Sequence, residues 1–120
     1  MSVPFGVDRP AGEPRRTQAL LKVYPLSDRP GVRAVGEISR PTLATWERAL
    51  EQIAHQRSRA VYVDLAAVSF IDVAGASALA ITAQGLEADQ RIMVDRPPFE
   101  LERLLDLFWP GLPTLEMVAQ

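Results

Sequence analysis

The chain has no cysteine. That excludes disulfides, thiol nucleophiles and thiolate zinc sites, and it fits a reducing, cytoplasmic setting. Histidine is nearly absent too, with His55 the single one. No serine or threonine sits in a nucleophile elbow, since Gly75-Ala76-Ser77-Ala78 departs from G-x-S-x-G. The seven glycines are scattered and form no phosphate-cradling loop. Basic residues are not in excess: 13 Lys and Arg against 15 Asp and Glu give a formal charge of −2. Nucleic acid or an anionic membrane as main partner would want a basic face, so both are disfavoured. The N-terminus lacks a signal-type apolar core, and no run approaches membrane-spanning length, so direct membrane insertion is not expected. These absences point to a non-enzymatic domain that needs no cofactor and no metal.

What is present is ordinary for a globular protein: 120 residues, 48% hydrophobic and 23% charged, enough for one domain with its own core. Residues 1–18 combine prolines, glycines and charges without periodicity, and read as a flexible arm before a folded domain over 19–120. Residues 19–24 (ALLKVY) predict a first strand and 32–38 (VRAVGEI) a second. The turn punctuation PLSDRPG between them makes the pair a hairpin, so part of the sheet is antiparallel. Pro41 and Thr42 open a helix expected to reach Gln56, with Leu43, Trp46, Leu50 and Ile53 as its apolar stripe. Residues 60–68 form a continuous apolar run, as in a strand buried on both faces. A small-residue helix follows over 73–87, then a strand over 91–94, a helix over 99–108 ended by Trp109-Pro110-Gly111, and a strand over 115–118. The order β-β-α-β-α-β-α-β predicts an α/β fold, a mixed sheet of about five strands covered by helices.

Few side chains invite chemistry. His55, near a helix end, reads as a surface residue or a mild C-terminal cap. Asp64, Asp72 and Asp95 fall at or near strand ends, where a divalent-ion site is conceivable, but capping and solubility explain them better. The junction from strand to helix at Ser69-Phe70-Ile71-Asp72 is more informative. An aspartate at a helix start accepts bonds from free N–H groups, and its charge suits the positive helix end. Val73, Ala74 and Gly75 make the first turn, lightly clothed and open to a partner backbone or an anion. Alternatively, Gly75 only permits close packing; the residues by themselves leave both readings open. Strand-to-helix junctions of this kind usually carry the working surface of α/β proteins.

The segment Val68-Ser69-Phe70-Ile71-Asp72-Val73-Ala74-Gly75-Ala76-Ser77-Ala78-Leu79, preceded by Val63-Asp64-Leu65, resembles the signature of the STAS domain. These are the domains of anti-sigma factor antagonists and of sulfate-transporter C-termini. Asp64, Ser69, Asp72, Gly75 and Leu79 all match the motif, and Gly36-Glu37-Ile38-Ser39 resembles the family's Gly-Glu-Leu-Asp. The likeness extends over residues 19–118. It implies a STAS-like fold and a partner-binding surface comprising Asp72, Val73, Ala74, Gly75, Ala76 and Ser39. In the antagonists the residue after the aspartate is a serine, phosphorylated by a partner kinase that is also the anti-sigma factor. Here that position is Val73, followed by Ala74, so the usual acceptor hydroxyl is missing; Ser77, one turn inside the helix, is a weak substitute. A phosphate beside Asp72 would add close to two negative charges and block a desolvated contact; valine keeps the surface uncharged in every state.

The leading expectation is therefore an antagonist-like interaction module in bacterial transcription regulation. Its partner would be an anti-sigma factor or kinase-like ATPase, and it would lack the usual phospho-switch. On this reading a Gly75→Glu variant stays folded and loses its partner. A second reading is a scaffold subunit of a larger assembly, a lipid-transport ABC system or a stressosome-like complex, prompted by Phe108, Trp109 and Leu112; a homodimer is also compatible. A third is a sensor of a small anionic ligand, with Arg33 or Arg40 as countercharge.

Overall fold

The apolar run at the centre of the chain becomes the longest strand of a computed structural model that describes residues 19–118. The arm expected over 1–18 lies outside those residues. In chain order the elements are β1 (Leu21–Pro25), β2 (Gly31–Ile38), a 3₁₀ turn (Arg40–Thr42), α1 (Leu43–Ala54), β3 (Ala60–Ile71), α2 (Val73–Gln84), β4 (Arg91–Asp95), α3 (Phe99–Phe108) and β5 (Leu115–Val118). The expected order holds throughout. The five strands lie side by side in sequence order, β1 antiparallel to β2 and every later pair parallel.

Three boundaries differ from the periodicity for identifiable reasons. β3 does not stop at Val68 but runs on through Ser69 and Phe70 to Ile71. Phe70 and Ile71 still have partners in Glu37 and Ile38, after register shifts between Arg33 and Val35 and between Gly36 and Glu37. The helix expected from Pro41 opens as a 3₁₀ turn and becomes α-helical at Leu43, with His55 at its C-cap. The helix expected to reach Glu87 ends at Gln84, where Gly85 takes the C-cap.

A sheet with sequential parallel strands and right-handed crossovers places every connecting helix on the same side. One apolar cluster accordingly joins Val32, Ala34 and Ile38 of β2, Val61, Val63 and Leu65 of β3, and Ile92 and Val94 of β4 to residues of all three helices: Trp46, Leu50 and Ile53, then Leu79, Ala80 and Ala83, then Leu101 and Leu105. The alternation in β2 puts Arg33 and Val35 on the opposite face, exposed. That face also carries Asp64 and Asp95, which stand opposite one another across β3 and β4. Arg33 pairs with Asp64 at 3.4 Å, Arg29 with Asp95 at 3.2 Å, and Arg96 reaches both carboxylates at 3.7 and 3.9 Å. The Arg29 guanidinium also lies 4.0 Å from the centroid of the Tyr62 ring.

Gly31 has φ +144°, and a Cβ there would strike the Tyr62 carbonyl, so the entry to β2 admits only glycine.

Candidate functional site

β2 and β3 both deliver their carboxyl ends to one edge of the sheet, and the strand-to-helix corner forms there. The Asp72 N–H donates to the Ile38 carbonyl at 3.0 Å, which ties the corner to the end of β2. Asp72 itself is extended, with φ −97° and ψ −178°. Its Oδ1 accepts from the Gly75 N–H at 2.9 Å, and its carbonyl accepts the first helical bond from Ala76 at 3.0 Å. Asp72 is thus the N-cap of α2, as its position in the sequence indicates.

The six residues expected to form the partner surface separate into two groups. Val73 projects outward, 52% exposed, with Asp72 and Ala74 half-buried beside it. Gly75, Ala76 and Ser39 are buried. A Cβ on Gly75 would lie 2.6 Å from Ile38 Cγ2 and 2.9 Å from Ile71 Cγ1, so the close-packing reading of this glycine is the structural one. The expectation that Gly75→Glu stays folded is corrected for the same reason: a longer side chain has no room beneath the helix. Ser39 lies in a polar knot under the corner. Its Oγ donates to Glu37 Oε2 at 2.9 Å, and its N–H donates to Thr42 Oγ1 at 3.0 Å, which in turn donates to the Glu37 carbonyl at 2.8 Å. Ser77 is half-buried within α2.

Two contributors escape sequence reasoning. Trp46 is fully buried, and its indole N–H donates to the Gly75 carbonyl at 3.0 Å, so α1 clamps the first turn of α2. The stripe periodicity identifies Trp46 as a core residue but not its bond. The second contributor is α3. Leu101 and Leu105 face the core, while Phe99 and Leu107 are 70% and 64% exposed. Phe99, Arg103 and Leu107 recur every four residues, and this outer stripe lies alongside the corner. Between the stripe and the corner runs a groove of about 520 Å³ whose lining includes Phe70, Val73, Phe99, Leu104 and Leu107. The signal was present in the sequence: α3 is apolar on two sides, more than one core can use. Of the Phe108, Trp109 and Leu112 cluster, Phe108 is exposed, whereas Trp109 and Leu112 pack against the core.

The residues considered for other chemistry lie apart from the corner. His55 is exposed, its Nδ1 2.7 Å from the Glu51 carbonyl. Asp64 and Asp95 stand under arginines on the open sheet face, and Arg33 is committed to Asp64 there. Arg40, in the turn after β2, is exposed. Among the described residues no three His, Asp or Glu side chains gather as metal ligands, and no helix is long and apolar enough to cross a membrane.

Comparison with known proteins bears on this corner. No curated protein matches the chain. Among solved structures it is similar to an anti-sigma factor antagonist from Mycobacterium paratuberculosis, with 22% identity, a TM-score of 0.64, and coverage of 81% of this chain and 86% of that one. It is also similar to the anti-sigma factor antagonist SpoIIAA in its unphosphorylated form, with 16% identity, a TM-score of 0.59, and coverage of 84% and 89%. At these identities the two likenesses establish a shared fold. The family model described as "Mlab, STAS domain" matches residues 18–109, which span every element from β1 to α3. With the motif from Val68 to Leu79 placed on the β3–α2 corner, the chain belongs to the STAS domain family.

Proposed function

We propose that the protein is a non-enzymatic interaction module of the anti-sigma factor antagonist kind, working in the bacterial cytoplasm. It binds an anti-sigma factor or related kinase-like ATPase through the β3–α2 corner. The observation that carries this reading is Val73: the residue that follows the capping aspartate is apolar and half exposed at the tip of the corner. Burying an exposed valine against a partner contributes about 1 to 2 kcal/mol, and no charge state of the residue opposes it. Such a surface binds without a phosphorylation cycle, so control of the contact lies with the partner or its abundance. The likeness to two anti-sigma factor antagonists supports the partner class.

The test is a binding titration against the anti-sigma ATPases encoded in the same genome, with wild type and Val73→Glu. The glutamate mimics part of a phosphate's charge at an exposed site and leaves the fold intact. Weakening by about tenfold or more supports the corner as the contact; equal binding of both proteins refutes it. Incubation with ATP is expected to leave the wild-type chain unlabelled.

A scaffold subunit of a larger assembly, such as a lipid-transport ABC system or a stressosome-like complex, is the second reading. It is favoured by the exposed Phe99, Leu107 and Phe108 of α3, large apolar side chains that a neighbouring subunit would cover. Light scattering on the purified protein separates the two: a clean monomer without a co-purifying subunit speaks against the assembly.

A further inference from the structure

Val73 leaves the corner without a charge switch, and the chain carries a segment of its own that can cover it. We propose that residues 3–7 (VPFGV) lie extended in the groove between the corner and α3, beside the free edge of β3. There they compete with the partner, a role that rests on the corner being a partner surface.

Three observations carry it. First, the arm joins the domain beside the groove. The Leu20 carbonyl accepts from the Glu37 N–H at 2.9 Å, and Glu37 stands opposite Phe70 of β3. The chain therefore enters β1 two strand spacings, roughly 10 Å, from the groove wall at Phe70. Residues 8–18 can span about 36 Å when extended, so residues 3–7 reach the groove with slack to spare. Tethered at that range, they are present at an effective concentration on the order of millimolar. Second, the sheet leaves an edge there. β4 pairs with β3 only from Ala60 to Asp64, and among the described residues no strand flanks 65–71 on that side. An extended segment can lie along this edge and turn alternate side chains into the groove. Third, residues 3–7 suit such a seat and not a helix. The arm as a whole has no periodicity, but Val3, Phe5 and Val7 alternate with Pro4 and Gly6. Pro4 and Gly6 oppose a helix, whereas an added strand, paired on one side only, tolerates the proline. The three apolar side chains share one face and can meet Phe70, Val73, Phe99 and Leu107, all exposed along the groove. Residues 3–7 carry no charge, and the charged lining of Asp72, Glu100 and Arg103 is mixed in sign. Seated there, the segment covers Val73, and the partner must displace it. This adds control from within the chain to control by the partner.

Because the chain has no cysteine, Ser2→Cys gives a unique attachment point for a nitroxide. On the ¹⁵N-labelled full chain, that label is expected to broaden the amides of Phe70, Val73, Phe99 and Leu107. Phe5→Asp should abolish the broadening from the arm's side, and Leu107→Ser should abolish it from the groove's side. No broadening at these amides, or broadening that survives both variants, overturns the inference. So does equal broadening of a ¹⁵N chain without nitroxide by an unenriched chain that carries it, since the occupant is then a second copy's arm. In titrations of the anti-sigma ATPases, Phe5→Asp should tighten binding about fivefold, the change expected if the arm fills the groove about four-fifths of the time. A partner that Val73→Glu weakens and Phe5→Asp leaves unchanged overturns the competition and leaves the corner standing. A partner indifferent to Val73→Glu refutes the corner, whereas the broadening reads the arm's seat without any partner.

Discussion

Asp72 and Gly75 do different work, although they belong to one motif. The Asp72 carboxylate satisfies one of the orphan N–H groups of α2, so Asp72→Ala is expected to cost about 1 kcal/mol in chemical denaturation. Asp72→Asn keeps an acceptor oxygen and should lose only a fraction of that, through the weaker interaction with the helix end. Gly75→Ala sets two effects against each other. Alanine gains about 1 kcal/mol of helix propensity over glycine. Its methyl, however, meets Ile38 and Ile71 at distances no relaxed core tolerates, and overpacking of this kind costs about 1 to 3 kcal/mol. The colliding Ile38 atom is the branch at Cβ, which cannot swing aside without turning the whole side chain, so the overpacking wins and the variant unfolds at lower denaturant. Legibility differs in the same way. Asp72 could be read as a cap because capping is local, decided by residues within one turn. The role of Gly75 depends on isoleucines from two strands, which no local pattern displays.

Between elements, the bond from Trp46 to the Gly75 carbonyl couples α1 to the start of α2. The last turn of α2 is anchored separately, through the Thr114 hydroxyl at the entry to β5 donating to the Ala83 carbonyl. Trp46→Phe removes the indole donor and part of a buried ring, and about 2 to 3 kcal/mol of stability should go with them. The denaturant midpoint should fall with an unchanged slope, since the domain still unfolds as a unit. If the stability loss comes without any change in affinity for the partner, the clamp serves only the core; a parallel loss of affinity shows that it also sets the pose of Val73. Element order was readable from periodicity and turn residues almost to the residue for α3 and β5. The end of β3 was not, because Ser69 interrupts the apolar run while the ladder to β2 continues past it. The outer stripe of α3 was harder to place for the opposite reason: the helix is apolar on two sides, and only the sheet shows which of them the core occupies.

At the scale of the molecule, the sheet is asymmetric: helices cover one face, and the other is open and carries the cluster of Asp64, Asp95 and their arginines. Asp64 and Asp95 are neighbours in register, little more than one strand spacing apart, about 5 Å. Three arginines offset their mutual repulsion, and Arg96 reaches both carboxylates. It does so with φ +52°, in the left-handed region that disfavours any side chain. Two costs and gains therefore meet in one residue. The left-handed backbone costs about 1 kcal/mol for a residue with a Cβ. The arginine is half exposed, and ion pairs of that kind contribute about 0 to 1 kcal/mol after screening. Arg96→Ala keeps the strain and loses the bridge, so it should lower stability by up to about 1 kcal/mol. Arg96→Gly loses the same bridge but releases the backbone, and it should match or exceed the wild type despite glycine's more flexible unfolded chain. Denaturation at low and high salt separates the two terms. The deficit of Arg96→Ala should shrink as salt screens the pairs it has lost, while the gap between the alanine and glycine variants should stay constant, because backbone strain carries no charge. A gap that closes with salt would mean that the left-handed turn is held by the carboxylates rather than merely tolerated beside them.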